Sequence, residues 1–153
     1  MQKQSVIEHA INLLNYTRMS CSELRAKLIR KGEDEKEADE AVCRLVELGL
    51  LNDRQYAIDL AAHYSHKGYG KQKVISELYR RGIPKELFEE ALNLMPDNSE
   101  KLESLIEKKL NGSTDRAQIQ KVCASLVRRG FSIEQVRHAI DNLRLNSEDY
   151  TDE

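Results

Sequence analysis

The sequence predicts an all-α protein: three tandem three-helix repeats forming an elongated, curved array. Three observations carry that expectation. The first is a signature written three times, in the order Leu, bulky apolar residue, Arg, basic residue, Gly. It reads Leu28-Ile29-Arg30-Lys31-Gly32, Leu78-Tyr79-Arg80-Arg81-Gly82 and Leu126-Val127-Arg128-Arg129-Gly130, with the glycines spaced 50 and 48 residues apart. Self-similarity at such a period marks an array of supersecondary units. The second is agreement at further offsets. Leu24, Val74 and Val122 stand one helical turn before each signature leucine, on the same face. Ala41-Val42, Ala91-Leu92 and Ala139-Ile140 follow each glycine at a common distance, and Leu45, Met95 and Leu143 follow those. The third is period: every long segment repeats its apolar residues at helical spacing, and no run reads as a strand.

The elements follow in order. Ile7, Ala10, Ile11 and Leu14 make one face of a first helix that ends near Thr17. Ser20-Cys21-Ser22-Glu23 is a capping box, which satisfies orphan amides at a helix start. The second helix runs from there to Lys31 and stops at Gly32, a residue suited to the left-handed conformation after a helix. Asp34-Glu35-Lys36-Glu37 opens the third, its acidic first turn matching the positive helix end. Asn52 or Asp53 caps a fourth helix through Ala57, Leu60, Ala61 and Tyr64, ending at Gly68-Tyr69-Gly70. A signature helix spans 71–81, Gly82 closes it, and Pro84 opens the next, where a missing N–H does no harm. Pro96 ends that helix. Leu102, Leu105, Ile106 and Leu110 define a seventh, closed by Asn111-Gly112; an eighth runs from about Asp115 to Arg129, and Ser132-Ile133-Glu134-Gln135 caps the last. The expected repeats are therefore 1–50, 51–96 and 97–146, with an acidic, disordered tail at 147–153. Such units cannot bury their apolar faces fully alone, so neighbours share core.

Composition agrees. Of 153 residues, 33% are charged and only 5% aromatic, with no Trp, which suits a helical protein with much exposed surface. The net charge of −2 argues against indiscriminate DNA coating. The charge is nevertheless segregated. Residues 1–32 and 63–82 are basic, whereas 33–40 and the segment from Asn146 onward are acidic. A polyanion or an acidic protein surface can find the basic patches. No stretch approaches the roughly 20 apolar residues needed to span a bilayer, and the N-terminus lacks the plan of a signal peptide. The expectation is a cytoplasmic protein with no membrane association. Three cysteines without a CxxC pair indicate neither a disulfide framework nor a zinc site. Cys123 occupies the repeat position of Ile75, and Cys43 adjoins Val42; both are expected in the core.

The stretch Ser65-His66-Lys67-Gly68-Tyr69-Gly70-Lys71, continuing to Glu77-Leu78-Tyr79-Arg80-Arg81-Gly82-Ile83, resembles the central motif of the RecX family of bacterial recombination regulators. That motif is a Lys-Gly-x-Gly turn, a basic helix, then Glu-Leu-x-basic-basic-Gly-Ile. The likeness extends to Ser22-Glu23-Leu24, Lys31-Gly32, Gly49-Leu50-Leu51-Asn52-Asp53 with Tyr56-Ala57, and Arg128-Arg129-Gly130-Phe131, so it spans nearly all of residues 5–144. Lys71 departs from it, since many relatives have Pro there. The resemblance implies a monomeric, non-enzymatic regulator in homologous recombination, DNA repair and the SOS response. It implies binding in the helical groove of RecA filaments on single-stranded DNA, with modulation, mainly inhibition, of RecA ATPase, strand exchange and filament growth.

The candidate partner- or DNA-binding residues are Arg30, Lys31, Lys67, Tyr69, Lys71, Lys73, Arg80, Arg81, Arg128 and Arg129. The three basic pairs close equivalent helices, where cations favour the negative helix end by roughly 0.3–1 kcal/mol each; three such pairs can also line a common ridge. Lys67-Gly68-Tyr69-Gly70-Lys71 can cradle a phosphate or carboxylate on backbone amides, or serve only as a turn. Tyr69 can stack on a partner or pack internally. His63 and His66 lie one turn apart, but no third ligand accompanies them, so neither metal nor cofactor is expected. No nucleophile motif is present. Reversing Arg80 and Arg81 to Glu is expected to weaken filament binding with little change in melting. The alternative is a helical module acting directly on single- or double-stranded DNA, since three-helix units resemble helix-turn-helix domains.

Overall fold

The computed structural model describes residues 5–149, with side chains as far as Arg144. Among these residues the regular structure is entirely helical. The first repeat holds α1 (Val6–Tyr16), α2 (Cys21–Arg30) and α3 (Glu35–Glu47). The second holds α4 (Asp53–His66), α5 (Lys71–Arg80) and α6 (Phe88–Asn93), and the third α7 (Ser99–Leu110), α8 (Arg116–Arg128) and α9 (Ile133–Asp149). Tertiary contacts gather the described residues into two compact units: Met1–Asp59 with Glu77–Asn93, and Leu60–Ser76 with Leu94–Glu153. Helices α4 and α5 thus contribute to both. Of the acidic tail assigned to 147–153, residues up to Asp149 belong to α9 and the rest lie outside the described residues.

Helix boundaries follow local chemistry. At α2 the capping box forms: the Glu23 amide donates to Ser20 Oγ at 3.1 Å and the Ser20 amide donates to Glu23 Oε1 at 3.0 Å. Asp34 caps α3 through the Glu37 amide, and Ser132 with Gln135 makes a second reciprocal box at α9. All three signature glycines take positive φ, at 101°, 70° and 105° for Gly32, Gly82 and Gly130. Asn111 also adopts the left-handed conformation as it ends α7.

Pro84 does not begin α6, contrary to the sequence expectation. It is extended (φ −58°, ψ 136°), and the Leu87 amide closes onto its carbonyl at 3.0 Å to make a single 3-10 turn, Lys85–Leu87. Helix α6 starts only at Phe88, which is buried with Ala91. It stops at Asn93, before Pro96.

The cores repeat the signature. In the first unit Leu24 and Leu28 pack with Ala10, Leu13, Ala38 and Leu45. In the second, Val122 and Leu126 hold the same places among Leu102, Ile106, Phe131 and Val136. The buried stripe of α1 is Ala10 and Leu13, whereas Ile7 lies at its exposed edge, so the helix is rotated from the predicted face.

The cysteines diverge. Cys123 is half-buried and packs on the second unit's core, but Cys43 is exposed. The reason is phase: α3 buries Ala38, Ala41 and Leu45, and Cys43 falls on the far side of that stripe. Cys21 is half-buried beside Asp53, whose Oδ1 accepts from the Cys21 amide at 2.9 Å. Burial first, and the Asp53 carboxylate second, push its thiol from an ordinary 9.0 up to about 11. A pKa raised in the fold stabilises the protonated form fully below pH 9, and that contribution is lost as pH rises from 9 to 11. Thiolates are the reactive form, so iodoacetamide at pH 8 should alkylate Cys43 at least about tenfold faster than Cys21. Equal labelling rates, read by peptide mass mapping, would contradict this placement.

Candidate partner-binding surface

One residue of the first basic pair, Arg30, and both of the second, Arg80 and Arg81, line one groove. In the first unit the end of α5 packs on the start of α2, where the Ser20 hydroxyl donates to the Arg81 carbonyl, and a groove of about 460 Å³ is lined by Arg18, Glu23, Lys27 and Arg30 with Tyr79, Arg80 and Arg81.

The five cations are not equivalent. Arg30 is exposed and Lys27 half-exposed, and neither takes part in an ion pair among the described residues. Arg80 is exposed but donates through Nη2 to Glu77 Oε2 at 2.7 Å. Arg81 is half-buried: its Nη1 donates to Tyr56 Oη at 2.6 Å, and its Nε lies 3.5 Å from the buried Glu77 carboxylate. Its carbonyl accepts from the Ser20 hydroxyl. Arg18 pairs with Asp59 at 2.7 Å and lies 4.7 Å from the centre of the Tyr56 ring; the Arg18 hydrogen bond holds the Asp59 carboxyl below its usual range. Arg81 therefore ties α5 to α4 and Arg80 is paired with Glu77, whereas Lys27 and Arg30 take no part in an ion pair among the described residues.

Sequence reasoning passed over Tyr79, Lys27 and Arg18. Tyr79 fills the bulky apolar place of the signature yet is 55% exposed. It meets Phe88 edge-on at 4.9 Å between ring centres, with Lys85 Nζ 6.0 Å away. The available signal was the residue type, since its counterparts Ile29 and Val127 are aliphatic.

In the second unit the Lys67–Lys71 turn is a joint. The amides of Gly68, Tyr69, Gly70 and Gln72 donate to the carbonyls of Ser65, Tyr64, Arg129 and Gly130, so the predicted anion cradle has its donors committed internally. A Cβ on Gly70 would collide with the backbone of Gly130, which is why the turn needs Gly there. Arg129 donates to Gly68 O and Lys67 O, each at 2.7 Å, and lies 4.2 Å from the centre of the Tyr69 ring. Tyr69 also meets Tyr64 edge-on, and Lys73 Nζ lies 5.6 Å from the Tyr69 ring centre. Tyr69, Lys73 and Arg129 are thereby packed together around this joint, whereas the side chains of Lys67 and Lys71 are exposed, as is Lys31 in the other unit. Arg128 is exposed and lines a separate face between α8 and α9.

Among the described residues no group of three or more His, Cys, Asp or Glu could hold a metal ion, and no helix is long and apolar enough to cross a membrane. The first groove offers guanidinium and ammonium donors beside an exposed aromatic ring. It is suited to bind carboxylates or phosphates.

Models of the first, second and third three-helix domains of RecX match residues 7–45, 52–92 and 97–140 in turn. The chain is 33% identical over 140 residues to the regulatory protein RecX of Trichlorobacter lovleyi, covering 86% of this chain and 91% of that one. It is 34% identical over 143 residues to that of Chlorobaculum tepidum, covering 91% and 88%. Among solved structures, RecX from Lactobacillus salivarius superposes with a TM-score of 0.84 at 28% identity, over 92% of this chain and 95% of that one. Three matched domains in order, relatives matched over most of their length and a shared helical architecture agree, and this chain belongs to the RecX family.

Proposed function

We propose that this chain is a cytoplasmic, monomeric and non-enzymatic regulator of RecA, binding the filament on single-stranded DNA and restraining its ATPase, strand exchange and growth. The relatives are named regulatory proteins, and one observation of this molecule supports the reading most. Arg30 of one signature pair and Arg80 and Arg81 of the next line a single groove together with Arg18 and Lys27, five cations against one lining acid, Glu23. The remaining exposed candidates, Lys31, Lys67, Lys71 and Arg128, add weaker contacts, and several weak contacts on one molecule reach high avidity against a repeating partner. Arg81 holds the end of α5 to α4 within the first unit, and Tyr69, Lys73 and Arg129 hold the joint within the second.

The direct test is RecA ATPase on single-stranded DNA at substoichiometric dose. Wild-type protein should inhibit, and Lys27→Glu/Arg30→Glu should need about tenfold more protein for the same effect, equivalent to roughly 1.4 kcal/mol. Its melting should fall only modestly, since each cation at the end of α2 contributes roughly 0.3–1 kcal/mol, and its fold should stay intact by circular dichroism. The Arg80→Glu/Arg81→Glu pair is a poor test by comparison: Arg81 is bonded to Tyr56 and Glu77, so its melting should drop, contrary to the sequence expectation. Inhibition should also fade as salt rises, because exposed charges are screened within about 8–10 Å at physiological ionic strength. Full inhibition by the Lys27/Arg30 variant would remove this groove from the interaction.

The exposed Tyr79 amid cations favours one second reading, direct binding of DNA, where aromatic rings stack on bases. Binding of a labelled oligonucleotide without RecA, with affinity falling steeply in salt, would select it.

A further inference from the structure

A second groove, of about 880 Å³, runs between α8 and α9. Its floor is apolar, and includes Val127 and Ile133, which are 39% and 55% exposed. Its rim carries Arg116, Arg128, Arg137 and Arg144 against a single acid, Asp141. No ion pair among the described residues holds any of the four arginines.

Comparison within the chain shows why this face is open. Counting from the signature glycines, Cys123, Ile133 and Arg137 occupy the places of Arg25, Glu35 and Asp39 in the first repeat. There Arg25 bonds Glu35 at 2.6 Å and also bonds Asp39, so a polar clamp joins α2 to α3 across the equivalent face. In the third repeat the arginine is replaced by cysteine, one carboxylate by isoleucine and the other by arginine. The clamp cannot form. What remains is an apolar trough whose rim, among the described residues, carries four arginines against one acid.

We propose that this groove docks an acidic amphipathic helix of a partner protein. The α8 residues lining it run from Arg116 to Arg128, about 18 Å at 1.5 Å per residue, the length of roughly three helical turns. Apolar anchors at i, i+3, i+4 and i+7 fit the floor, as in helix-in-groove recognition, and carboxylates beside them meet the arginines in charge-assisted hydrogen bonds. Nucleic acid suits the site less well: no aromatic ring lines it to stack a base, and phosphates would leave Val127 and Ile133 unsatisfied. Apart from Arg128, which the RecA reading counts as a weaker contact, the residues of this groove play no part in that reading.

The probe is a fluorescein-labelled synthetic helix of about 14 residues, with Leu at i, i+3, i+4 and i+7 and Glu elsewhere, followed by anisotropy. Saturable binding is expected, at least about tenfold tighter than to a scramble without helical period or to a counterpart with Lys for Glu. The triple variant Cys123→Arg/Ile133→Glu/Arg137→Asp rebuilds the first repeat's clamp and should abolish it. Arg116→Glu/Arg137→Glu changes only exposed side chains and should weaken binding at least about tenfold with unchanged circular dichroism. Equal binding of the Lys counterpart, or of both variants, would overturn the proposal. So would displacement of the peptide by oligo(dT) but not by unlabelled peptide, which would make the groove a phosphate site. Wild-type self-association in the ultracentrifuge that the triple variant abolishes would assign the groove to a second copy instead. RecA is absent from every arm, so failure here leaves the ATPase test untouched.

Discussion

Gly130→Ala is expected to lower the unfolding free energy by roughly 2–6 kcal/mol, through backbone strain and crowding of about 1–3 kcal/mol each. Gly130 has φ 105°, and a Cβ there would lie 2.6 Å from the Lys73 amide nitrogen and 2.8 Å from Lys73 Cβ. The carbonyl of Gly130 also accepts from the Gln72 amide at 3.2 Å, so any shift to relieve the clash pulls on the joint with the Lys67–Lys71 turn. The control lies in the same signature. Gly32 has nearly the same φ, 101°, but a Cβ there meets nothing within 4 Å. Gly32→Ala should therefore show strain without crowding, roughly 1–2 kcal/mol. Urea unfolding of the two variants under identical conditions measures the difference. Equal losses would mean that residue 130 is not pressed against Lys73.

The second large effect belongs to the signature leucine. Leu126 is fully buried among Leu102, Ile106, Phe131 and Val136. Truncation to Ala removes its transfer free energy and leaves a cavity, for roughly 2–5 kcal/mol. Its neighbour Val127 is 39% exposed on the α8–α9 groove, and Val127→Ala should cost less than about 1 kcal/mol. A thermal or urea midpoint separates them readily. If Val127→Ala proved the more damaging, the assignment of Leu126 to the core and Val127 to the groove would be reversed.

These paired predictions show how far the sequence could be read. The helix ends were legible because they depend on local chemistry: Ser20 with Glu23, Asp34, Asn111 and the three glycines each act within a few residues. Period and repetition likewise located Leu24, Leu28, Val122 and Leu126 in the cores. Phase was harder. A small rotation places Ile7 at an edge and Cys43 on the far side of α3, and a few neighbouring apolar residues do not set that rotation. The opening of α6 was misjudged because proline suits both the first turn of a helix and the residue before one; Pro84 takes the extended choice while Phe88 turns into the core.

The candidate site divides along the same line. Three Arg-basic pairs could be counted in the sequence, and their places at helix ends followed from the glycines after them. Their separate duties could not be counted. Arg81 is committed because Tyr56 and Glu77, far apart in sequence from it or a turn away, are brought to its guanidinium, and Arg129 because the Lys67–Gly68 carbonyls face it. Arg30 meets no such acceptor and stays presented to solvent beside Tyr79. By itself, then, the sequence determined the helical repeat, most of its helix ends and its family, since these arise from interactions within one turn or one repeat period. Only the tertiary structure decided which cations are structural and which are offered to a partner, because a long side chain takes its role from whatever acceptor the fold places within reach.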